Sequence, residues 1–499
     1  MYAYYNICIL ITIQKNALKP THRLPPSPKR TTPPPPPLLR TRFSTQQLLR
    51  RFHRLLPASL LSGWLALSER TFYARAFTPL VTLWYMIFQR LNNNHHLSYV
   101  QQDAREGGAD RLSPPGKALS AQLTSESTSA YSDARQRLPL QVCLQTLRYT
   151  AQQFGQCFQV PQWFGLQAGL LDGSTYRLRP FGDIPEDFPP HRPGNCKKPP
   201  YWCVARVVGI LCLATGAVLD SAVGSLKVSE QALSASVLKA RSWAGWLLLG
   251  DRNFGVYSVS RAIVAAQGHA LLRLTQVRAK SLARSCGLKW KPGLDARVSW
   301  SPSRCDQYPE GLSPEPVPGR LVAVRLKRPG FRSFTLYLFT TLVDPLNCPS
   351  QELVQLYAQR WSIELCFRYI KAQMELGFLE CYSADIARKE WFAGLIAYNL
   401  IRWTMASAAA TAQVALPLLS FSRARELLLG WLGRSPLHRR SARSWNRLLT
   451  RISKARQPKR RKRRASEPRA VRPFRKHHAT LEGSRAAARK RLAQARAKS

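Results

Sequence analysis

The residues best suited to chemistry in this 499-residue chain lie in Leu356-Tyr-Ala-Gln-Arg-Trp-Ser-Ile-Glu-Leu-Cys-Phe-Arg-Tyr-Ile-Lys371. On an α-helix, steps of three, four, four and three place Tyr357, Arg360, Glu364, Arg368 and Lys371 on one face. Ile363, Phe367, Ile370 and Met374 form a separate, adjacent apolar stripe. A carboxylate with cations one turn away on either side reads as a surface ion-pair ladder worth a few tenths of a kcal/mol per pair. It reads equally as an acid working beside bound phosphate.

Two upstream carboxylates bear on that choice. Asp172 follows the apolar run Phe164 to Leu171, and Asp251 follows Trp246-Leu-Leu-Leu-Gly250, so each is expected at the C-terminal end of a strand. A single Asp after a strand is usually a turn former or a helix cap. Two such positions plus a helical Glu, however, make the donor set that a hard cation such as Mg²⁺ takes, with Mn²⁺ as a substitute. A pair of ions ~4 Å apart can activate an attacking water or 3′-hydroxyl and stabilise the leaving oxygen of an in-line displacement at phosphorus. In that reading Asp172, Asp251 and Glu364 are the catalytic metal ligands, and Tyr357, Arg360, Arg368 and Lys371 hold phosphates.

The charge balance agrees: 75 Lys and Arg against 27 Asp and Glu give a formal charge of +48. Such a field favours a polyanion, because each phosphate neutralised releases counterions. Charge alone does not separate DNA from RNA, the ribosome or an anionic membrane. The 11 Cys include no C-x-x-C pair and no cluster with zinc-ligand spacing, which fits a reduced cytoplasm. Met1 to Ile13 is apolar but lacks the flanks of a signal peptide and is shorter than the roughly 20 residues of a membrane span, so no membrane association is expected.

The elements that must position these residues can be read in outline. Residues 1–45, with the Pro33 to Pro37 run, are expected to be disordered or an over-extended start. Helical periodicity from Gln46 to Val100, a mobile linker over Gln101 to Ser129, and helices after Ser132 and Pro139 make an all-helical unit over 46–155. Arg135 and Arg137 are expected on its DNA-facing surface. From Phe164 the order is three strands, helix, strand, helix and strand, which suggests an α/β class with a mixed sheet of the ribonuclease H kind over 156–269. Leu321 to Leu326 and Phe334 to Phe339 read as a hairpin around Arg328-Pro-Gly330, within a mostly β stretch over 270–345. A long helix from Ser350 to about Gly377 and another over Lys389 to Ala410 complete 346–412, and 413–499 is a basic C-terminal region.

Tyr-x2-Arg-x3-Glu-x6-Lys resembles the YREK signature of bacterial DDE transposases of the insertion-sequence-4 type. Asp172 in Asp-Gly-Ser-Thr and Asp251 in Asp-Arg-Asn-Phe look like that family's first two acidic motifs. Tyr131 to Leu138, Val324 to Gly330, Thr340 to Asp344 and Ala397 to Arg402 agree, so the resemblance runs over about residues 70–499. It implies a ribonuclease H-like catalytic core interrupted by a mostly β insertion between the second Asp and the Glu. It further implies cut-and-paste movement of an element with inverted-repeat ends, double-stranded DNA as partner, and a homodimer in the synaptic complex. An insertion-domain Trp that stacks on a flipped base would be Trp290 or Trp300. A non-catalytic basic DNA-binding protein, or an inactive copy that binds ends without cutting, is the alternative.

The last 46 residues, Lys454 to Ser499, carry 18 Lys and Arg against Glu467 and Glu482, a net of +16. If they supply sequence-independent phosphate contacts, deleting them flattens the salt dependence of DNA affinity and leaves end preference intact. Titrations of a labelled duplex at several salt concentrations decide this, and an unchanged slope excludes the role.

Overall fold

The computed structural model describes residues 38–497 apart from 57, 67–75, 93–94, 114–115, 191–200, 292, 304–311, 329–330, 434–440 and 458–483. Of the start expected to be disordered over 1–45, residues 1–37 lie outside the described residues, as do the turn residues Pro329 and Gly330 and most of the basic tail, whereas 38–45 are ordered, with a buried Leu39 and a two-residue strand at Arg40–Thr41.

In chain order, a short strand β1 (Arg40–Thr41) precedes helices α1 (Thr45–His53), α2 (Ala58–Ala66), α3 (Pro79–Leu91), α4 (Leu97–Arg105), α5 (Leu119–Gln122), α6 (Ser129–Arg137) and α7 (Leu140–Cys157). Then come β2 (Phe158–Gln159), β3 (Gln167–Leu178), α8 (Ile184–Asp187), β4 (Cys203–Cys212), β5 (Val218–Ser225), α9 (Glu230–Lys239), β6 (Trp246–Gly250), α10 (Tyr257–Ala265) and β7 (His269–Arg273). After α11 (Gln276–Ser285) follow β8 (Asp295–Trp300), β9 (Val317–Arg328), β10 (Phe331–Thr340), α12 (Ser350–Ala358), α13 (Ser362–Arg368), β11 (Phe378–Leu379), α14 (Ala384–Thr411), α15 (Phe421–Gly433) and α16 (Ala442–Lys454). A last helix, α17 (Arg485–Ala497), belongs to a separate compact unit over 457–499.

The strand–helix alternation expected from Phe164 onward is present, and it builds a mixed sheet in the order β5-β4-β3-β6-β7-β10-β9-β8. β3, β4 and β5 run antiparallel, whereas β3, β6 and β7 run parallel. The hairpin of β9 and β10 pairs Leu326 with Phe334, and it continues the same sheet because β10 pairs with β7. Leu170, Leu171, Leu248 and Leu249 are all buried, so β3 and β6 are covered on both faces. That is the pattern of parallel strands under helices.

Three expectations need correction. Residues 101–129 are not a plain linker: Ala104, Ala109, Leu119 and Leu123 are buried, and Asp110 accepts hydrogen bonds from the Ser120 backbone N–H and hydroxyl at 2.8 and 2.6 Å. β3 does not stop at Leu171 but runs on through Leu178, because β4 stays paired with it, Asp172 lying opposite Gly209. The Asp-Gly-Ser-Thr run looked like a turn, yet a partner strand overrides such local preferences. Finally, the helix expected from Ser350 to Gly377 is interrupted by a 3-10 turn at Gln359–Trp361 and a π turn at Tyr369–Gln373.

α14 is the spine of this unit. Its 28 residues start at an N-cap in which Ser383 accepts from the Ile386 N–H, and it is buried nearly end to end. Neighbours surround such a helix on all sides, so most of its residues are apolar and the polar ones it buries must find partners. It fastens the sheet edge: the Asn399 side chain accepts from the Val218 N–H and donates to the Val218 carbonyl, both at 2.8 Å. Tyr398 donates to the Gly216 carbonyl at 2.9 Å, and Arg402 Nε donates to the Thr215 carbonyl at 2.7 Å. Backbone groups that an edge strand would leave unpaired are thereby satisfied. No helix among the described residues is long and apolar enough to cross a membrane.

α14 also fastens the N-terminal helices. Glu390 is buried and accepts from Arg90 of α3 and Arg135 of α6. Burial opposes its ionisation, but Arg90 and Arg135 outweigh burial and hold the carboxyl below its usual range. Arg135 is thus a core residue rather than the expected DNA-facing one, since a buried guanidinium needs its carboxylate. Glu390→Gln leaves two buried cations without a counter-charge and should cost on the order of 3–5 kcal/mol. Denaturant unfolding checks this, and a loss under about 1 kcal/mol would put the three charges in a solvated setting.

Candidate active site

The site begins with a register. β3 pairs in parallel with β6 from Gln167–Trp246 to Leu171–Gly250, and there β6 ends. The next residue on each strand is an acid, so Asp172 and Asp251 stand side by side at the point where the pairing stops. Beyond that gap the two residues of β11 pair with Arg177 and Leu178 of the same strand. Asp172 is therefore held on a strand, while Asp251 opens a turn in which its Oδ1 accepts from the Asn253 N–H at 2.8 Å.

Electrostatics record the closeness. The Asp172 carboxyl is pushed up to about 6, chiefly by burial, with the charges of Asp251 and Glu230 adding to it. Arg360 and the Gly173 N–H pull the other way: Arg360 Nη1 lies 3.3 Å from Asp172 Oδ2, and the Gly173 N–H donates to Oδ1 at 2.9 Å. Glu230 was not singled out by sequence. It opens α9 after the N-cap Ser229, its carboxylate accepts from Asn253 Nδ2, and a Cβ at Gly173 would lie 2.4 Å from its Cδ. Glycine at 173 leaves room for this third acid against β3, and a larger residue would push the Glu230 carboxylate aside. Gln231 donates to the Asn253 carbonyl at 2.8 Å and completes the clasp on the Asp251 turn. An acid in a helix's first turn is common on dipole grounds, so nothing in the sequence separates Glu230 from other caps.

The helical signature approaches β3 from above. Arg360 reaches Asp172, and Lys371 Nζ donates to Ser174 Oγ at 3.3 Å. Asp172 and Ser174 are two apart on a strand and share one face. Glu364 lies between these anchors in the chain, on α13, which packs against β3. Its side chain is exposed, and among the described residues no three His, Cys, Asp or Glu side chains come together as ligands of one metal ion. The 3-10 turn is the physical reason for this difference: its residues advance about 120° rather than 100° each, which turns Arg360 away from the face that Glu364 occupies. Arg360 is only 5% exposed, lies 5.2 Å over the Trp361 ring, and has an Nε with no hydrogen-bond partner among the described residues. Tyr357 is also buried. Burial pushes its hydroxyl up to about 12 against the pull of Arg360 and Arg273.

Burial and the neighbouring Arg177 lower the Lys371 ammonium. Arg368 is exposed, with its guanidinium 5.6 Å from the Tyr369 ring centre. Arg137 is exposed on α6. Trp300 is core, packed on Tyr257 and Phe339, whereas Trp290 is half-buried beside Lys280 and Tyr337.

Residues 163–400 match the family model for the transposase DDE domain, a stretch that contains Asp172, Asp251 and Glu364. The stretch that is similar to a transposase DDE domain is thus just under half of the chain, and it holds all three candidate acids. The chain is 28% identical over 291 residues to transposase InsG for insertion sequence element IS4 of Escherichia coli (strain K12), a match spanning 56% of this chain and 61% of that relative. It is also 29% identical over 88 residues to the "Probable transposase for insertion sequence element IS5377" of Geobacillus stearothermophilus, over 17% of this chain and 23% of that one. Among solved structures it is similar to the piggyBac transposase synaptic complex with hairpin DNA, at 10% identity and a TM-score of 0.40, covering 81% of this chain and 85% of that one.

A raised carboxyl gives a signed prediction. Because Asp172 titrates near 6 when folded and near 3.8 otherwise, its ionisation opposes folding. The native state binds the extra proton between those values, so stability falls as pH rises through that window. Asp172→Asn, which cannot ionise, should therefore melt above the wild type at pH 8, by an amount worth about 3 kcal/mol, and equal it below about pH 3. Melts across pH check this, and a gap that stays constant would place the stabilisation elsewhere.

Proposed function

We propose that this chain is a transposase that cleaves DNA strands and joins the freed ends to new DNA. The observation that carries the reading is the meeting of Asp172 and Asp251 at the end of the β3–β6 pairing, under a segment that brings Arg360 and Lys371 to the same strand face. Three antiparallel strands followed by two parallel ones with intervening helices support a ribonuclease H-like core made of 156–269 and 346–412. In this layout 270–345 is an insertion, 46–155 a helical DNA-binding domain, and 413–499 a basic region.

The donor set fits a hard divalent cation. Asp172, Asp251 and Glu364 offer only oxygen ligands, and a bound cation would offset the burial, and the lesser repulsion from Asp251 and Glu230, that raises Asp172. Mg²⁺, or Mn²⁺ in its place, would supply Lewis-acid polarisation of the phosphodiester and a lower pKa for the attacking oxygen. Glu364 joins the two aspartates by a movement of the segment around its 3-10 turn. Arg360, once released from Asp172, takes a phosphate in a bidentate grip that a lysine cannot reproduce. Tyr357, Lys371 and Arg368 hold the same strand, Arg137 contacts DNA from the helical domain, and Trp290, the less buried of the two tryptophans, is left to stack on an unpaired base. Double-stranded DNA, both element ends and target, is the partner, and two copies act together across the paired ends.

A second reading has one observation in its favour. Arg360 already sits on Asp172 as a cation of the protein's own, as it would in a basic DNA-binding protein without catalysis. Glu364→Gln separates the two: nicking of a labelled element end in Mg²⁺ or Mn²⁺ should drop by more than a hundredfold, with end binding by gel shift intact. Nicking at the wild-type rate would leave the non-catalytic reading standing.

A further inference from the structure

A second charged surface lies away from the acids, on α16. Between Glu426 and Glu467 the sequence holds no acid at all, and α16 falls inside this stretch. Arg443, Arg447, Arg451 and Lys454 follow one another at steps of four, four and three, which sets them along one side of the helix over about 16 Å. All four are exposed. The opposite side is buried through Trp445, Leu448, Leu449 and Ile452, with Trp445 5.2 Å from the rings of Phe52 on α1 and of Trp431 on α15. The stripe thus sits on a braced helix that starts at an N-cap, where Ser441 accepts from the Ser444 N–H at 3.2 Å.

This arrangement runs against helix stability. Arg443 with Arg447 and Arg447 with Arg451 are like charges at i,i+4, and each such pair costs a few tenths of a kcal/mol. Arg443 lies in the first turn, where the helix dipole disfavours a cation, although Arg451 and Lys454 in the last turn are well placed. The preceding acid along the chain, Glu426 on α15, already pairs with Arg423 at 2.6 Å. A solvated face has no need of four like charges in line, and among the described residues none of the four has an ion-pair partner. An external polyanion relieves all of these repulsions together.

We propose that the exposed side of α16 binds the phosphate backbone of duplex DNA, as an anchor for the length of DNA outside the cutting site. The choice of DNA over other polyanions rests on the transposase reading, whereas the surface rests on α16 alone. A row of guanidiniums about 6 Å apart follows phosphates without reading bases, so the binding is sequence-independent.

The test uses the full chain and the triple variant Arg443→Ala, Arg447→Ala, Arg451→Ala, with Arg423→Ala as a control. Affinity for a labelled duplex lacking any element end is read by fluorescence anisotropy at several salt concentrations. The slope of log K against log salt should become shallower by about 3, near one unit for each phosphate no longer neutralised, and the melting temperature should hold or rise. The control should leave the slope unchanged. A triple-variant slope within one unit of the wild type overturns the proposal. So does an unchanged slope accompanied by altered sedimentation, which would assign the face to a second copy, or by weakened binding to phosphatidylserine vesicles, which would assign it to a membrane. Nicking in Mg²⁺ separates the two ideas: a wild type that nicks while the slope is unmoved sinks only the surface, and a moved slope without wild-type nicking sinks only the catalytic reading.

Discussion

The parallel pairing of Gln167–Leu171 with Trp246–Gly250 is the constraint on which this molecule turns, because everything at the candidate site is measured from where that pairing stops. Side chains alternate along a strand, so a slip of one residue would send Asp172 to the other face and bury a carboxylate where Leu171 now packs. The leucines of both strands prevent the slip, since each face of the pair is already filled by apolar neighbours. A site made of charged groups is thereby located by groups that have no charge.

α14 converts that local order into a single unit. It closes the β4–β5 edge through Tyr398, Asn399 and Arg402, and it holds α3 and α6 through Glu390. Each attachment is polar and buried, so each depends on its partner being in place. The helical region and the sheet consequently share one core, and the acids on β3 and β6 inherit their rigidity from packing far along the chain.

Charge is handled in two opposite ways. In the interior, several buried guanidiniums are matched to carboxylates: Arg135 has Glu390, Arg320 has Asp295 at 2.8 Å, and Arg360 has Asp172; Arg402 and Arg425 are met by backbone carbonyls instead. On α16, by contrast, Arg443, Arg447, Arg451 and Lys454 are exposed and have no ion-pair partner among the described residues. The first pattern stabilises a fold, and the second leaves a positive field at the surface.

By itself the sequence determined the order of elements and the residue types of the site. Short apolar runs bounded by turn residues mark β3 to β7, and the periodic Tyr-Arg-Glu-Lys spacing marks the segment above them, because burial on two faces or on one stripe leaves a pattern within a dozen residues. It could not determine how far β3 runs, since the pairing of Asp172 with Gly209 depends on a partner strand some 40 positions away. Nor could it single out Glu230, brought to Gly173 by the packing of α9, or tell that Arg135 faces Glu390 255 residues on. The 3-10 and π turns escaped for the same reason. Their dihedrals differ from those of an α-helix by little, and packing against β3 outweighs a difference that small.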